Sequence, residues 1–380
     1  MKIKKNVANI VHRILKKLGI GAIRRNVNKT QYDKNLLFSY IKGPFEGKTN
    51  SFHQNAIQAL EIARIIGGLG YNVDVIDFNS AKVHFDKMYD ALFEIQIKEH
   101  PIYERNIKGD AKRIVYMTGS NPTFSNEAEK RRLKELEQRR GVKLQPRRQV
   151  PRYPKELEKY DELVIIGNDY NLSTYEDEFI LPPCFSVHNT GYDFIYEFDP
   201  KRKRKDCFLY FGSSGCVHKG LDLLLDIFSE KDFPAELFVC GSYEKEEDFY
   251  KEYKNELTKF KNIHPIGFVD IKSDVFEEIS NICCFTILPS CSEARAGAVV
   301  ACMSKGLIPI CSKECGYDAD EAIVLENCEI STIRGKILEV SNWNIEDITV
   351  ESRKTYELVR ERFNITKFSE EMEYALRQVL

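Results

Sequence analysis

The stretch from Cys283 to Cys311 constrains the fold more than any other part of the chain. An apolar run, Cys283 to Leu288, ends in Pro289-Ser290. A carboxylate, Glu293, and a loop of mostly small residues, Ala294 to Ala298, come next. An apolar helix follows and stops at Gly306, a residue suited to a helix C-terminus, and a second apolar run starts at Leu307. Strand, turn, helix and strand at this spacing make a βαβ unit, which belongs in a parallel sheet covered on both faces. The first turn of such a helix leaves backbone N–H groups without partners at the C-terminal edge of the sheet. An anion, above all a phosphate, can take them. The same pattern also suits a buried βαβ unit with no ligand.

A second stretch repeats the layout. Phe208 to Phe211 reads as a buried strand, and Gly212-Ser213-Ser214-Gly215-Cys216-Val217-His218-Lys219-Gly220 as a glycine- and serine-rich turn. Leu221, Leu224, Leu225 and Phe228 then fall on one face of a helix. Small residues let the backbone approach a phosphate, and Lys219 would bring it a mobile positive charge. A lysine at a helix start is also a common surface residue. Here the flanking glycines and the carboxylate in the downstream turn favour a site.

Together these stretches resemble the donor-binding signature of the GT-B glycosyltransferases, in particular the large retaining group that includes glycosyltransferase family 4. That pattern reads Pro-Ser-x-x-Glu, a small loop, then Glu-Ala-Met-Ala-x-Gly-x-Pro-Val-Ile. Pro289, Ser290, Glu293, Met303, Gly306, Pro309 and Ile310 match it, and Lys219-Gly220 matches an upstream Gly-Arg-(loop)-Lys-Gly. Two positions depart: Ala301 stands where the second Glu would hold the donor ribose, and Ser214 where an Arg would join the lysine on the diphosphate.

The resemblance implies an α/β protein of GT-B architecture, two Rossmann-like doubly wound domains facing across a cleft. It implies transfer of a sugar from a UDP- or GDP-linked donor to a glycan or lipid-linked acceptor in surface polysaccharide biosynthesis, with retention. No metal or further cofactor is implied, the nucleotide sugar being a co-substrate. Lys219 would stabilise the leaving diphosphate with the N–H groups of Ala296, Gly297 and Ala298. Glu293 would hold donor-sugar hydroxyls. Ser213, Ser214 and Gly241 would line the nucleotide, and Gly267, Phe268 and Val269 would hold the base. Relatives carry a His near the strand end occupied here by Thr118-Gly119-Ser120-Asn121-Pro122, where this chain has none. His53 is the nearest candidate for substrate contact; otherwise it orients its loop. Asp318-Ala319-Asp320 matches a short metal-binding pattern by chance. Two alternatives remain: a catalytically impaired GT-B protein that binds a nucleotide sugar or glycan, favoured by Ala301 and Ser214, and a nucleotide-sugar epimerase.

The 380 residues allow two domains with separate cores. A net charge of −2 implies no nucleic-acid partner. All eleven cysteines fall from Cys184 onward, with no CxxC pair and no preceding secretory signal, as expected of reduced thiols in a cytoplasmic protein. Residues 1–30 carry nine basic residues and no acidic one, with Val7, Ile10, Val11, Ile14, Leu15 and Leu18 at helical spacing. This basic amphipathic arm suits either an anionic membrane surface, making the protein peripheral on its inner face, or docking on the body.

The remaining organisation expected is a first Rossmann-like acceptor domain over 31–195, a donor domain over 196–362, and a terminal helix over 363–380 crossing back to the first domain. The first domain should contain strands at 36–41, 73–77, 113–117 and 163–166 and helices at 51–69 and 126–140. The second should contain strands at 208–211, 236–239, 266–269, 283–288 and 307–311. The basic run Lys201 to Lys205 reads as a solvated linker or a membrane-facing patch.

Overall fold

The computed structural model describes residues 21–47, 53–154 and 157–380. The stripe from Val7 to Leu18 lies outside them. The first half of the chain forms strands β1 (Ile23–Arg24), β2 (Lys34–Tyr40), β3 (Tyr71–Asp77), β4 (Tyr89–Glu94), β5 (Ile107–Met117), β6 (Glu162–Ile166) and β7 (Cys184–Val187), in the order β1-β3-β2-β4-β5-β6-β7. All pairs are parallel except β1 on β3. The crossovers include helices α1 (Gln54–Gly68), α2 (Pro122–Arg140) and α3 (Asp169–Glu176). The second half forms β8 (Arg204–Phe211), β9 (Glu236–Cys240), β10 (Ile263–Gly267), β11 (Cys283–Leu288), β12 (Ile308–Ser312) and β13 (Ile323–Leu325), all parallel, in the order β10-β9-β8-β11-β12-β13. Its helices include α4 (Leu221–Phe228), α5 (Asp274–Ile282), α6 (Gly297–Met303), α7 (Ile330–Ser341) and α8 (Ile345–Arg362). A final helix, α9 (Ile365–Val379), buries Phe368, Met372, Ala375 and Leu376 in the core of the first sheet.

Each expected strand overlaps an observed one, but β4, β7 and β13 were not expected and β5 begins six residues earlier than 113; three further differences have physical causes. The strand expected at 266–269 is Ile263–Gly267: Pro265 supplies no N–H and the ladder shifts between Pro265 and Gly267, so pairing stops there. Four residues of the run Lys201 to Lys205 are exposed, and one is not. Lys203 is buried, its ammonium donating to the Ser280 and Cys283 carbonyls at 2.7 Å, and Arg204 opens β8. The charged helix α2 starts earlier than expected, because Asn121 accepts from the Thr123 N–H at 2.7 Å and Pro122 suits the first helical position.

The end of α2 belongs energetically to the other half. Leu136, and Leu144 just beyond it, join the second core. Arg139 reaches the fully buried Asp222 at 2.6 Å, and Arg140 reaches Glu252 and Glu256. The two halves are therefore strapped together away from the cleft.

Beneath the first sheet, Glu94 is buried and accepts from the Tyr103 and Tyr160 hydroxyls. Burial outweighs those hydrogen bonds and pushes its carboxyl up to about 7. A carboxyl protonated more readily folded than unfolded favours the fold fully below the unfolded value, and loses that advantage as pH rises to about 7. We expect wild-type stability to fall by about 3 kcal/mol from this group between pH 4 and pH 8. Glu94→Gln should remove that part of the slope in denaturant titrations. An unchanged slope in the variant would show that Glu94 does not titrate in this window.

Candidate functional site

In the second sheet the strand order reverses direction between β8 and β11, the point at which open α/β sheets leave a crevice beyond their C-terminal edge. The two turns singled out above follow these two strands. They touch directly: Gly220, at φ +74°, packs so close to Pro289 that a Cβ there would collide with the Pro289 carbonyl. His218 and Ser290 join the turns further, the Cys291 N–H and the Ser290 hydroxyl both donating to the His218 carbonyl, at 2.8 and 3.1 Å.

This contact brings Lys219 onto Glu293 as an ion pair between two largely buried side chains. Ser290 Oγ also lies 3.3 Å from the same carboxylate oxygen, while Glu293 Oε2 has no hydrogen-bond partner among the described residues. Burial raises the Glu293 pKa, but the charge on Lys219, with smaller contributions from His218 and Arg148, overrides it and holds the carboxyl at about 2. The Glu293 backbone is gripped from the first half. Its carbonyl accepts from the Ser120 N–H at 3.1 Å, the Ser120 hydroxyl at 2.5 Å and Asn171 at 3.3 Å. The 118–122 segment thus fixes the Glu293 loop.

Lys219 and Glu293 lie in a cleft of about 540 Å³ between the two sheets, a size that suits a nucleotide. His53, Ser213, Phe268, Val269, Ala296, Gly297 and Ala298 also line it. Ser214, Gly241 and Gly267 do not. Ser214 faces solvent, and Gly241 and Gly267 tie β9 to β10 through an N–H to carbonyl bond of 2.9 Å. The Ala296 N–H is already donated to the Cys315 carbonyl at 3.1 Å, so of the three amides only those of Gly297 and Ala298 lack partners among the described residues. The glycine-rich turn likewise spends two amides internally: the Gly215 and Cys216 N–H groups donate to the buried Glu246 carboxylate. His53 caps α1, its Nδ1 accepting from the Asn55 N–H at 3.3 Å. Asp318 accepts from Asn168 at 2.7 Å and Asp320 pairs with Arg362 at 2.8 Å, so both carboxylates of the Asp-x-Asp stretch are engaged in side-chain contacts.

No protein-family model and no curated protein matches the chain. Solved structures do. Sucrose-phosphate synthase from Thermosynechococcus elongatus superposes with a TM-score of 0.62 at 11% identity, over 91% of this chain and 98% of its own. HepE of Anabaena, solved with UDP and glucose, superposes at 0.55 and 10% identity over 91% and 100%. The fold is GT-B. TarM shares it at a TM-score of 0.51 and 12% identity, over 76% of this chain, which spans about half of TarM's length. In GT-B terms the cleft is the gap between the two Rossmann-like halves.

Sequence reasoning missed several residues of this cleft. Gln54, buried at the start of α1, donates to the Thr190 carbonyl at 2.6 Å and the Gly297 carbonyl at 3.2 Å, and Asn189 donates to the Arg295 carbonyl at 2.8 Å. Arg295 also lines the cleft, and its guanidinium is held by both oxygens of the buried Glu321 at 2.9 Å. Arg148 reaches the cleft from the segment after α2. Nothing in their local spacing marks these residues, because their partners stand a hundred or more positions away or on another element.

Proposed function

We propose that this chain transfers a sugar from a nucleoside-diphosphate sugar, UDP- or GDP-linked, to a glycan or lipid-linked acceptor in surface polysaccharide biosynthesis. The observation that carries the reading is the meeting of Lys219 and Glu293 from the turns on either side of the switch point, in a cleft of nucleotide size. The HepE structures hold UDP and UDP-glucose, and a TarM mutant structure holds UDP with a sugar-glycerol, which supports a nucleotide-sugar donor and a sugar-bearing acceptor here. In this reading the bond from the anomeric carbon to the diphosphate oxygen breaks and a bond to the acceptor oxygen forms on the same face. The leaving phosphate takes the acceptor proton. Lys219 stabilises the charge growing on that phosphate, and Glu293 holds the sugar through its free oxygen. The reaction proceeds with retention and without a metal ion.

A second reading, a GT-B protein that binds but does not turn over, is favoured by Ala301, Ser214 and the occupation of the loop amides by Glu246. A turnover screen of UDP- and GDP-sugars, with and without a lipid acceptor extract, decides among the classes. A transferase consumes donor into acceptor, an epimerase converts free donor, and a binding protein does neither.

No helix among the described residues is long and apolar enough to cross a membrane. We expect residues 1–30 to supply surface attachment instead. The full chain should co-sediment with anionic vesicles, less so as salt rises, and deletion of residues 1–30 should abolish sedimentation. Equal sedimentation of both proteins would exclude the arm as the anchor.

A further inference from the structure

The cleft has a cation that neither the sequence pattern nor the ion pair above uses. The segment after α2 is clamped back onto that helix. The buried Glu129 carboxylate accepts from the Arg147 N–H at 2.8 Å, the Arg148 N–H at 2.9 Å and the Gln149 side chain at 2.7 Å. Asn126 pairs with the Val150 backbone at 2.8 Å in both directions. This fixes the backbone at residue 148, and the side chain runs over the glycine-rich turn: a Cβ on Gly215 would lie 2.6 Å from the Arg148 Cγ. Any larger residue at 215 would push the arginine away.

The charges in the cleft separate into used and unused. Lys219 is matched by Glu293 and Arg295 by Glu321. Arg148 lines the same cleft, and its guanidinium makes no hydrogen bond or ion pair to the described residues, though its charge is felt at Glu293 and His218. Asp270, also on the cleft wall, accepts from the Lys272 N–H at 2.9 Å, and no contact joins it to Arg148. A doubly charged diphosphate beside Lys219 would meet a cation already half neutralised, while two loop amides are closed to it by Glu246.

We propose that Arg148, carried by the first half of the chain, is the second cation on the donor diphosphate, filling the role left open by Ser214. This rests on the donor reading of the cleft. A guanidinium donates in a planar fork that matches phosphate oxygens, so it supplies direction as well as charge. Because the arginine comes from the opposite half, the diphosphate would bridge the two halves as it binds.

Calorimetry on the full chain tests this with UDP, GDP and inorganic pyrophosphate, and with uridine and guanosine as phosphate-free controls. Arg148→Ala should lose about 10- to 100-fold in affinity for whichever diphosphate binds, and show a shallower salt dependence. Nucleoside affinity should not change, and Arg148→Lys should recover part of the loss. The residue is exposed, so the thermal midpoint should hold. If Arg148→Ala binds diphosphates like wild type while Lys219→Ala binds them weakly, the Arg148 assignment falls and the donor reading stands. If nucleoside affinity drops in parallel, the arginine acts on loop structure and the assignment falls. If the wild-type chain binds none of the three phosphates, both fall.

Discussion

Glu293→Gln should cut sugar transfer by about 100- to 1,000-fold while leaving affinity for the free nucleoside diphosphate unchanged or tighter. The separation follows from the ion pair. In the folded chain Lys219 is partly neutralised by the Glu293 carboxylate, so removing that negative charge frees the ammonium for the phosphates. The amide keeps the shape but loses the charged acceptor that would orient the donor sugar. Lys219→Ala should do the opposite, weakening the free nucleoside diphosphate by about 2–4 kcal/mol and slowing transfer with it. Calorimetry beside turnover measures both variants. Equal losses of binding and turnover in Glu293→Gln would contradict the assignment of this group to the sugar. The pH profile adds a check. A carboxyl held at about 2 contributes stability that is complete above the usual glutamate range and is lost progressively as pH falls from that range through about 2. Glu293 therefore stays ionised across any practical assay, and no limb of the pH–rate curve should vanish in Glu293→Gln.

The second large effect is expected at Arg295. Its guanidinium is buried against Glu321, with the Phe363 ring 5.3 Å away, and its main chain is bonded to Ile166 and Asn189 of the first half. Arg295→Met would leave the buried Glu321 carboxylate with Arg362 at 3.7 Å and His188 at 3.9 Å as its nearest basic groups. The loss should be about 2–4 kcal/mol of folding stability in denaturant titrations, because the buried carboxylate exchanges two 2.9 Å hydrogen bonds for a longer ion pair to the half-exposed Arg362. Arg295→Met combined with Glu321→Leu should recover much of it, since the replacement removes both charges at once. A single variant within about 1 kcal/mol of wild type would show that the pair is not essential to the fold.

The same residues show why part of the site was legible in advance. Lys219 and Glu293 sit in strand–turn–helix patterns whose information is local: an apolar run, small residues, then helical periodicity. Terminal position on a parallel strand is enough to place such residues at a sheet edge. The β10 boundary was misplaced because a buried strand and the loop after it share apolar composition, and only the slipped pairing at Pro265 separates them. Lys203 was misread because a buried lysine donating to helix-end carbonyls looks, in sequence, like any member of a basic run.

The sequence by itself determined the α/β class, the two strand-to-helix turns and the lysine and carboxylate that they carry. Each of these depends on neighbours within about one supersecondary unit. Tertiary structure alone decided that β8 and β11 are adjacent, which turns two separate motifs into one ion pair. It also decided that Glu246 occupies two of the loop amides, that Ser120 and Asn171 fix the Glu293 carbonyl, and that Arg148 overhangs Gly215. Those contacts join polar side chains far apart in the chain, and a polar residue carries no periodic signal that could name its partner. Only closure of the two halves, with its burial of charge and backbone, selects which of many possible pairs is made.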